Sequence, residues 1–114
     1  MMSDCLFCKI INGEIPAEKL YEDEHVIAFK DIHPQAPVHF LVVPKKHISA
    51  TSEISPENSA EIAYVFEVIA KLAKQQHLEN GFRVINNCGP DAGQTVPHLH
   101  FHVLAGKVMG ETIV

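Results

Sequence analysis

Long apolar runs are missing from this chain. Runs such as Phe40 to Val43 fall far short of the ~20 residues a membrane-spanning helix needs. Positive charge is also scarce: 9 Lys and Arg stand against 14 Asp and Glu, a formal net charge of −5. Only Lys45 and Lys46 are adjacent, so a nucleic-acid-coating surface is not expected and any phosphate must be held locally. Three cysteines are too few for the disulfide framework of a small secreted domain. The start, Met1-Met2-Ser3-Asp4-Cys5, has neither the basic opening nor the apolar stretch of a secretory signal, and a cytoplasmic location is expected. Repeats, linkers and low-complexity segments are absent, which points to a single domain over residues 1–114. A composition 46% hydrophobic and 20% charged lies far from that of a disordered chain.

What is present suggests alternating short elements. Leu6, Phe7, Ile10 and Ile11 have helical spacing, so residues 5–12 read as a short helix stopped by Asn12-Gly13. Residues 19–23 and 25–30 read as a hairpin around Asp23-Glu24, with Val26 and Ala28 facing one way and Ile27 and Phe29 the other. Pro34 and Pro37 make 32–38 a loop, because proline cannot donate to a strand ladder. Residues 38–43 are the most apolar strand candidate and are expected at the sheet centre. A long helix is expected over 56–78, capped by Ser55, opened by Pro56 and stopped by Asn80-Gly81. Its apolar face would comprise Ile62, Val65, Phe66, Ile69, Leu72 and Ala73. Strands over 82–87 and 98–105 flank a glycine loop, Gly89 to Thr95. Strands joined by short turns around one inserted helix predict an α+β fold: a five-stranded, largely antiparallel sheet with one long helix and one short N-terminal helix.

The chain carries eight histidines. His98, His100 and His102 alternate with apolar Leu99, Phe101 and Val103. On a strand they would share one face, with successive imidazoles ~7 Å apart. A largely neutral imidazole can be a nucleophile, a general base or a metal ligand, and alternation alone does not choose. The preceding loop favours phosphorus chemistry: glycines let backbone N–H groups approach an anion, and Gln94, Thr95 and Asn87 carry neutral hydrogen-bonding groups. Cys5-Leu6-Phe7-Cys8 is a C-x-x-C pair open to redox, metal or purely structural readings.

His98-Leu99-His100-Phe101-His102-Val103-Leu104 resembles the histidine triad motif of the HIT family of nucleotide hydrolases and transferases. Asp31 to Ile48 and Gly93-Gln94-Thr95-Val96 resemble its Hint branch, so the likeness spans nearly the whole chain. The resemblance implies hydrolysis of purine nucleoside 5′-phosphoramidates. His100 would be the nucleophile that forms a nucleotidyl-histidine later cleaved by water. It further implies phosphate contacts from Asn87, Gly93, Gln94, Thr95 and His102, ribose contacts from Asp31, and a tuning role for His39 beside the nucleophile. Ile32, Phe7 and Leu41 would form an apolar slot for the base. Thr95 stands where the family commonly has serine, and its hydroxyl could still serve the leaving amine. Zinc-binding bacterial members join a C-x-x-C pair to two histidines, which implies a structural zinc on Cys5, Cys8, His47 and His98, with Cys88 left as a packed or semi-exposed thiol. Members are homodimers whose C-terminal tails shape the partner's site, and the ending Lys107 to Val114 lacks the tryptophan of the eukaryotic enzymes.

Two other functions fit the same residues. A zinc hydrolase could use His98, His100 and His102 as ligands, although outer positions up to ~13 Å apart on a strand are awkward for bonds of ~2 Å. A non-catalytic purine-nucleotide-binding module would need the same loop and carboxylate without a working nucleophile.

Overall fold

The computed structural model describes residues 5–114; Met1 to Asp4, read above for a leader, lie outside the described residues. Helix α1 spans Leu6–Ile11 and α2 spans Ser59–Gln75. The strands are β1 (Lys19–Glu22), β2 (Val26–Lys30), β3 (Val38–Pro44), β4 (Arg83–Ile85) and β5 (Phe101–Ala105). They form one sheet in the order β1-β2-β3-β5-β4 with every pairing antiparallel, the α+β arrangement the sequence predicts. No helix among the described residues is long and apolar enough to cross a membrane.

Strand alternation divides the core into two layers. Val26, Ala28, Phe40, Val42, Phe101 and Val103 point towards Val65, Val68, Ile69 and Leu72 of α2. Ile27, Phe29, Leu41 and Val43 point the other way, towards Cys5, Phe7, Cys8 and Ile10 of the N-terminal segment. Burying each large aliphatic side chain in these layers contributes about 1.5–3 kcal/mol, so both helices are held chiefly by packing. On α2 the apolar stripe is shifted from the expected one: Val68 is buried, whereas Phe66 stays 46% exposed and packs edge-on to Phe101.

Several boundaries move, each for a local reason. Helix α2 starts at Ser59 because residues 55–58 close a turn, with Asn58 and Ser59 N–H both donating to the Ser55 carbonyl. Asn58, not Ser55, is therefore the cap residue. The helix also ends before Asn80-Gly81. Leu78 N–H donates to Ala73 and His77 N–H to Lys74, the paired bonds of a Schellman motif, with His77 in the left-handed region at φ +60°. Helix α1 ends on the same motif using Gly13 (φ +80°), with Glu14 N–H bonded to Lys9 and Gly13 N–H to Ile10. Cys5 is the cap of α1, its sulfur accepting from Cys8 N–H.

The β1–β2 turn is tied down by Asp23, whose carboxylate accepts from His25 and Val26 N–H and from the hydroxyls of Tyr21 and Tyr64 on α2. Burial pushes its pKa up, but these four donors outweigh that and hold it well below the carboxylate range. Strand β5 begins only at Phe101 and β4 ends at Ile85, so His98 and His100 lie on the segment that precedes the ladder, with His98 in a bend. Leu99 is nevertheless buried with the α2 layer, and the alternation of faces persists.

Candidate active site and metal centre

Strand register assembles the site. Phe29, Leu41, His102 and Ile85 form one row across the sheet through successive pairings. One step along, His39 pairs with Leu104, which places His39 diagonally beside His102 on the same face. Asp31 follows the end of β2 and donates its N–H to the His39 carbonyl, which brings its carboxylate towards both imidazoles. Continuing the β4–β5 register past Ile85 sets Asn87 across from His100.

A cavity of about 470 Å³ opens over this row. Its polar end is formed by Asp31, Asn87, Gly93, Thr95, His100 and His102, and Gln94 also lines it. Its apolar end contains Phe7, Leu41 and Ile32, the expected slot, with Ile32 86% exposed at the rim. Leu6, Ile10, Ile15, Pro16 and Ala17 complete that wall. Sequence reasoning missed them; the helical spacing of α1 around C-x-x-C was the available signal for Leu6 and Ile10, whereas Ile15, Pro16 and Ala17 follow the helix and carried none. His39 does not line the cavity and sits behind His102.

Hydrogen bonds fix where the imidazole protons reside. His100 Nδ1–H donates to the His98 carbonyl at 2.7 Å. A neutral ring then carries a lone pair on Nε2, which has no hydrogen-bond partner among the described residues. Because no buried side-chain N or O there is unpaired, Nε2 opens to the cavity. His39 Nδ1 accepts from Gln35 N–H at 3.0 Å, so its proton sits on Nε2 and is donated to His102 Nδ1 at 2.9 Å. His102 must then carry its own proton on Nε2. The result is an acceptor on His100 beside a donor on His102. Burial lowers the pKa of His100 and pushes that of His102 down to about 4, keeping both neutral near pH 7.

The phosphate-loop residues divide into two kinds. Among the described residues the side chains of Asn87 and Thr95 make no hydrogen bond and remain free for a ligand. Gln94 differs: its amide donates to Ser49 and Val96 carbonyls at 2.8 and 3.0 Å and accepts from Gly89 N–H at 2.9 Å. Its side chain staples the loop and has no donor to spare. Gly93 closes the turn at φ +82°, a conformation suited to glycine.

Beside the cavity, Cys5, Cys8, His47 and His98 bring their Sγ and Nδ1 atoms within 4.8 Å of one another. Three of the four sulfur–nitrogen separations are 3.3, 3.3 and 3.5 Å, and the two Nδ1 atoms are 3.2 Å apart. A tetrahedral ion with metal–sulfur bonds of ~2.3 Å and metal–nitrogen bonds of ~2.0 Å sets its ligand atoms roughly 3.3 to 3.8 Å apart, so the group fits. The proton inventory agrees. His98 Nε2–H donates to the Pro44 carbonyl at 2.8 Å, leaving Nδ1 as a lone pair aimed at the thiols. These four side chains could hold a metal ion. Cys88 stands apart, exposed.

Asp31, His39 and His102 form a second cluster of metal-binding type. Here the inventory argues against an ion, because His39 Nε2 and His102 Nδ1 share one proton in a hydrogen bond while Gln35 N–H occupies the only other acceptor of His39. Nor does either cluster unite His98, His100 and His102: His98 faces the thiols and His102 faces His39. This is a correction to the alternating-histidine metal site considered from the sequence: His98 Nδ1 is directed at the thiols, His100 Nδ1 at the His98 carbonyl and His102 Nδ1 at His39, so the three rings do not converge on one point.

Comparison with known proteins agrees with this architecture. The HIT domain family profile matches residues 12–109. A HIT-like protein of Synechococcus elongatus is 45% identical over 107 residues, covering 94% of each chain. A structure described as a HIT family hydrolase from Clostridium thermocellum superposes with a TM-score of 0.97 at 47% identity, covering 100% of both chains. A histidine triad nucleotide-binding protein from Candida albicans superposes at 0.81 with 34% identity, covering 97% of this chain and 85% of that one.

Proposed function

Because the chain belongs to the HIT domain family, we propose that it is a purine nucleoside phosphoramidase that cleaves P–N bonds through a nucleotidyl-histidine on His100. The observation that carries this reading is the lone pair on His100 Nε2, facing the cavity while Nδ1–H is held by the His98 carbonyl at 2.7 Å. Attack on the α-phosphorus forms the Nε2–P bond and breaks the bond to the amine, which departs with a proton that solvent supplies through the Thr95 hydroxyl. The positive charge that develops on the ring is stabilised by the carbonyl accepting from Nδ1. His102 Nε2–H and Asn87 donate to the phosphoryl oxygens, and Asp31 accepts from the ribose hydroxyls. Water then attacks phosphorus, releases Nε2 and returns one proton, so the sum is amine plus nucleoside monophosphate. That a Clostridium thermocellum neighbour is described as a hydrolase, and the Candida albicans one as nucleotide-binding, supports the reading.

Two further features belong to it. Zinc is the ion whose chemistry suits a two-thiolate, two-imidazole set; bound there it would pin α1 to the sheet without entering bond breaking. A homodimer is supported by β4, which pairs on one side only and lies beside exposed Phe82, and by exposed Phe66. The site of action is read as cytoplasmic, with no nucleic-acid or membrane partner.

Turnover of an adenosine phosphoramidate by native protein and by His100→Ala tests the chemistry. The variant should lose at least a hundredfold in rate while still binding AMP, and intact-mass analysis of a slowed variant should find a nucleotidyl adduct on His100. Turnover by His100→Ala within a few-fold of native would remove the nucleophile assignment. Sedimentation at micromolar concentration should find two copies.

A further inference from the structure

Helix α1 belongs to both sites at once. Its cap Cys5 and its Cys8 carry the two thiols of the metal-binding group, while Leu6, Phe7 and Ile10 wall the apolar end of the cavity. Phe7 joins the two: its buried ring stands edge-on to His98 with centroids 6.0 Å apart, and edge-on to His100 at 4.9 Å and 87°. His98 supplies a second connection, since its side chain offers Nδ1 to the thiols and its carbonyl fixes the proton on His100 Nδ1. A helix of six residues has little stability of its own, isolated helices below ~12–15 residues being marginal in water. The placement of Phe7 therefore depends on what holds the two ends of that turn.

We propose that metal binding at Cys5, Cys8, His47 and His98 is thermodynamically coupled to nucleotide binding in the cavity, with Phe7 as the positioning residue for His100. The coupling rests on the cavity being a nucleotide site. An ion at the thiols fixes α1, α1 fixes the Phe7 ring, and the ring together with the His98 carbonyl holds His100 in one orientation and one tautomer. Loss of the ion frees both supports and loosens the apolar wall. Such coupling is reciprocal: whatever factor the ion adds to nucleotide affinity, the nucleotide adds to ion affinity.

The test compares three samples of the full chain: metal-loaded native protein, the same protein after chelation, and metal-loaded Phe7→Leu. Long-range proton–nitrogen NMR reads the His100 tautomer, and calorimetry reads AMP affinity. Native loaded protein should show a single Nδ1–H tautomer. Chelation should mix the tautomers and weaken AMP about tenfold, and saturating AMP should tighten metal binding by the same factor. Phe7→Leu, with its metal content intact, should also mix the tautomers and should lower kcat more than it raises KM, since leucine keeps an apolar wall. Unchanged tautomer and AMP affinity in folded, chelated protein would overturn the coupling. If chelation unfolds the chain, Phe7→Leu decides alone, and native behaviour of both readouts there overturns it. If AMP binds neither loaded nor chelated protein, the nucleotide reading fails and takes the stated coupling with it; the tautomer readout then shows whether a metal-to-His100 link survives.

Discussion

Replacing His39 by two amides of different reach separates the roles of its two ring nitrogens. In His39→Gln the side-chain amide nitrogen lies near the position of Nε2 and can still donate to His102 Nδ1, while the acceptor for Gln35 N–H is lost. In His39→Asn the amide oxygen lies near Nδ1 and can still accept from Gln35, while the donor to His102 is lost. The native bond to His102 is 2.9 Å long and the His102 side chain is only 20% exposed, so the asparagine variant leaves a poorly hydrated acceptor unpaired. Such a group costs about 1–3 kcal/mol, against about 1 kcal/mol for a typical net hydrogen bond. If His102 must present Nε2–H to the phosphoryl group, much of that cost appears in the transition state. The expected loss in kcat is then about tenfold for His39→Asn, with a ceiling near a hundredfold. His39→Gln should stay within about threefold of native. Steady-state turnover of an adenosine phosphoramidate at pH 7 measures both, and nitrogen NMR of His102 reports its tautomer directly. A glutamine variant slower than the asparagine one, or an unchanged His102 tautomer in His39→Asn, would refute the proton inventory.

Three other outcomes follow from particular contacts. His77 occupies a left-handed position at the end of α2, where glycine avoids a Cβ penalty. His77→Gly should therefore gain about 1 kcal/mol and raise Tm by about 3–5 °C in a calorimetric scan, and a variant no more stable than native would contradict the Schellman assignment. Burial holds His102 at about 4 rather than the ordinary 6.5, so between these values the unfolded chain binds a proton that the folded chain does not. Stability should rise with pH across that window and fall as pH drops from about 6.5 to about 4. Urea midpoints at pH 7, 5.5 and 4.5 check the sign, and a flat series would refute it. Gln94→Glu sets a carboxylate oxygen against the Ser49 and Val96 carbonyls in place of an N–H donor. It should cost about 2 kcal/mol in urea unfolding, whereas an amide that only touched phosphate would leave stability unchanged.

Most of what depends on side-chain period was legible in the sequence, the α2 stripe excepted, where Phe66 was expected inside and Val68 takes that place. Alternation sorted Val26 and Ala28 from Ile27 and Phe29, and the two sets lie on opposite faces of β2 as expected. Apolar spacing located both helices, and Gly13 marked the end of α1. Properties that depend on which backbone groups pair could not be read that way. His77 ends α2 because Leu78 N–H reaches Ala73, and no turn-forming residue announces it. The alternation of His98, His100 and His102 placed them on one strand face without choosing a chemistry for any of them. Because β5 starts at Phe101, the first two histidines instead bend to separate tasks: His98 offers Nδ1 to the thiols while its carbonyl fixes His100, and only His102 sits in the ladder beside His39. Gln94 follows the same logic. Its residue type suits a phosphate ligand, but donor capacity is finite, and two carbonyls of the surrounding loops already take up both of its amide donors. Residue type thus limits what a side chain can do, and the hydrogen-bond inventory decides which of those possibilities is left over for a ligand.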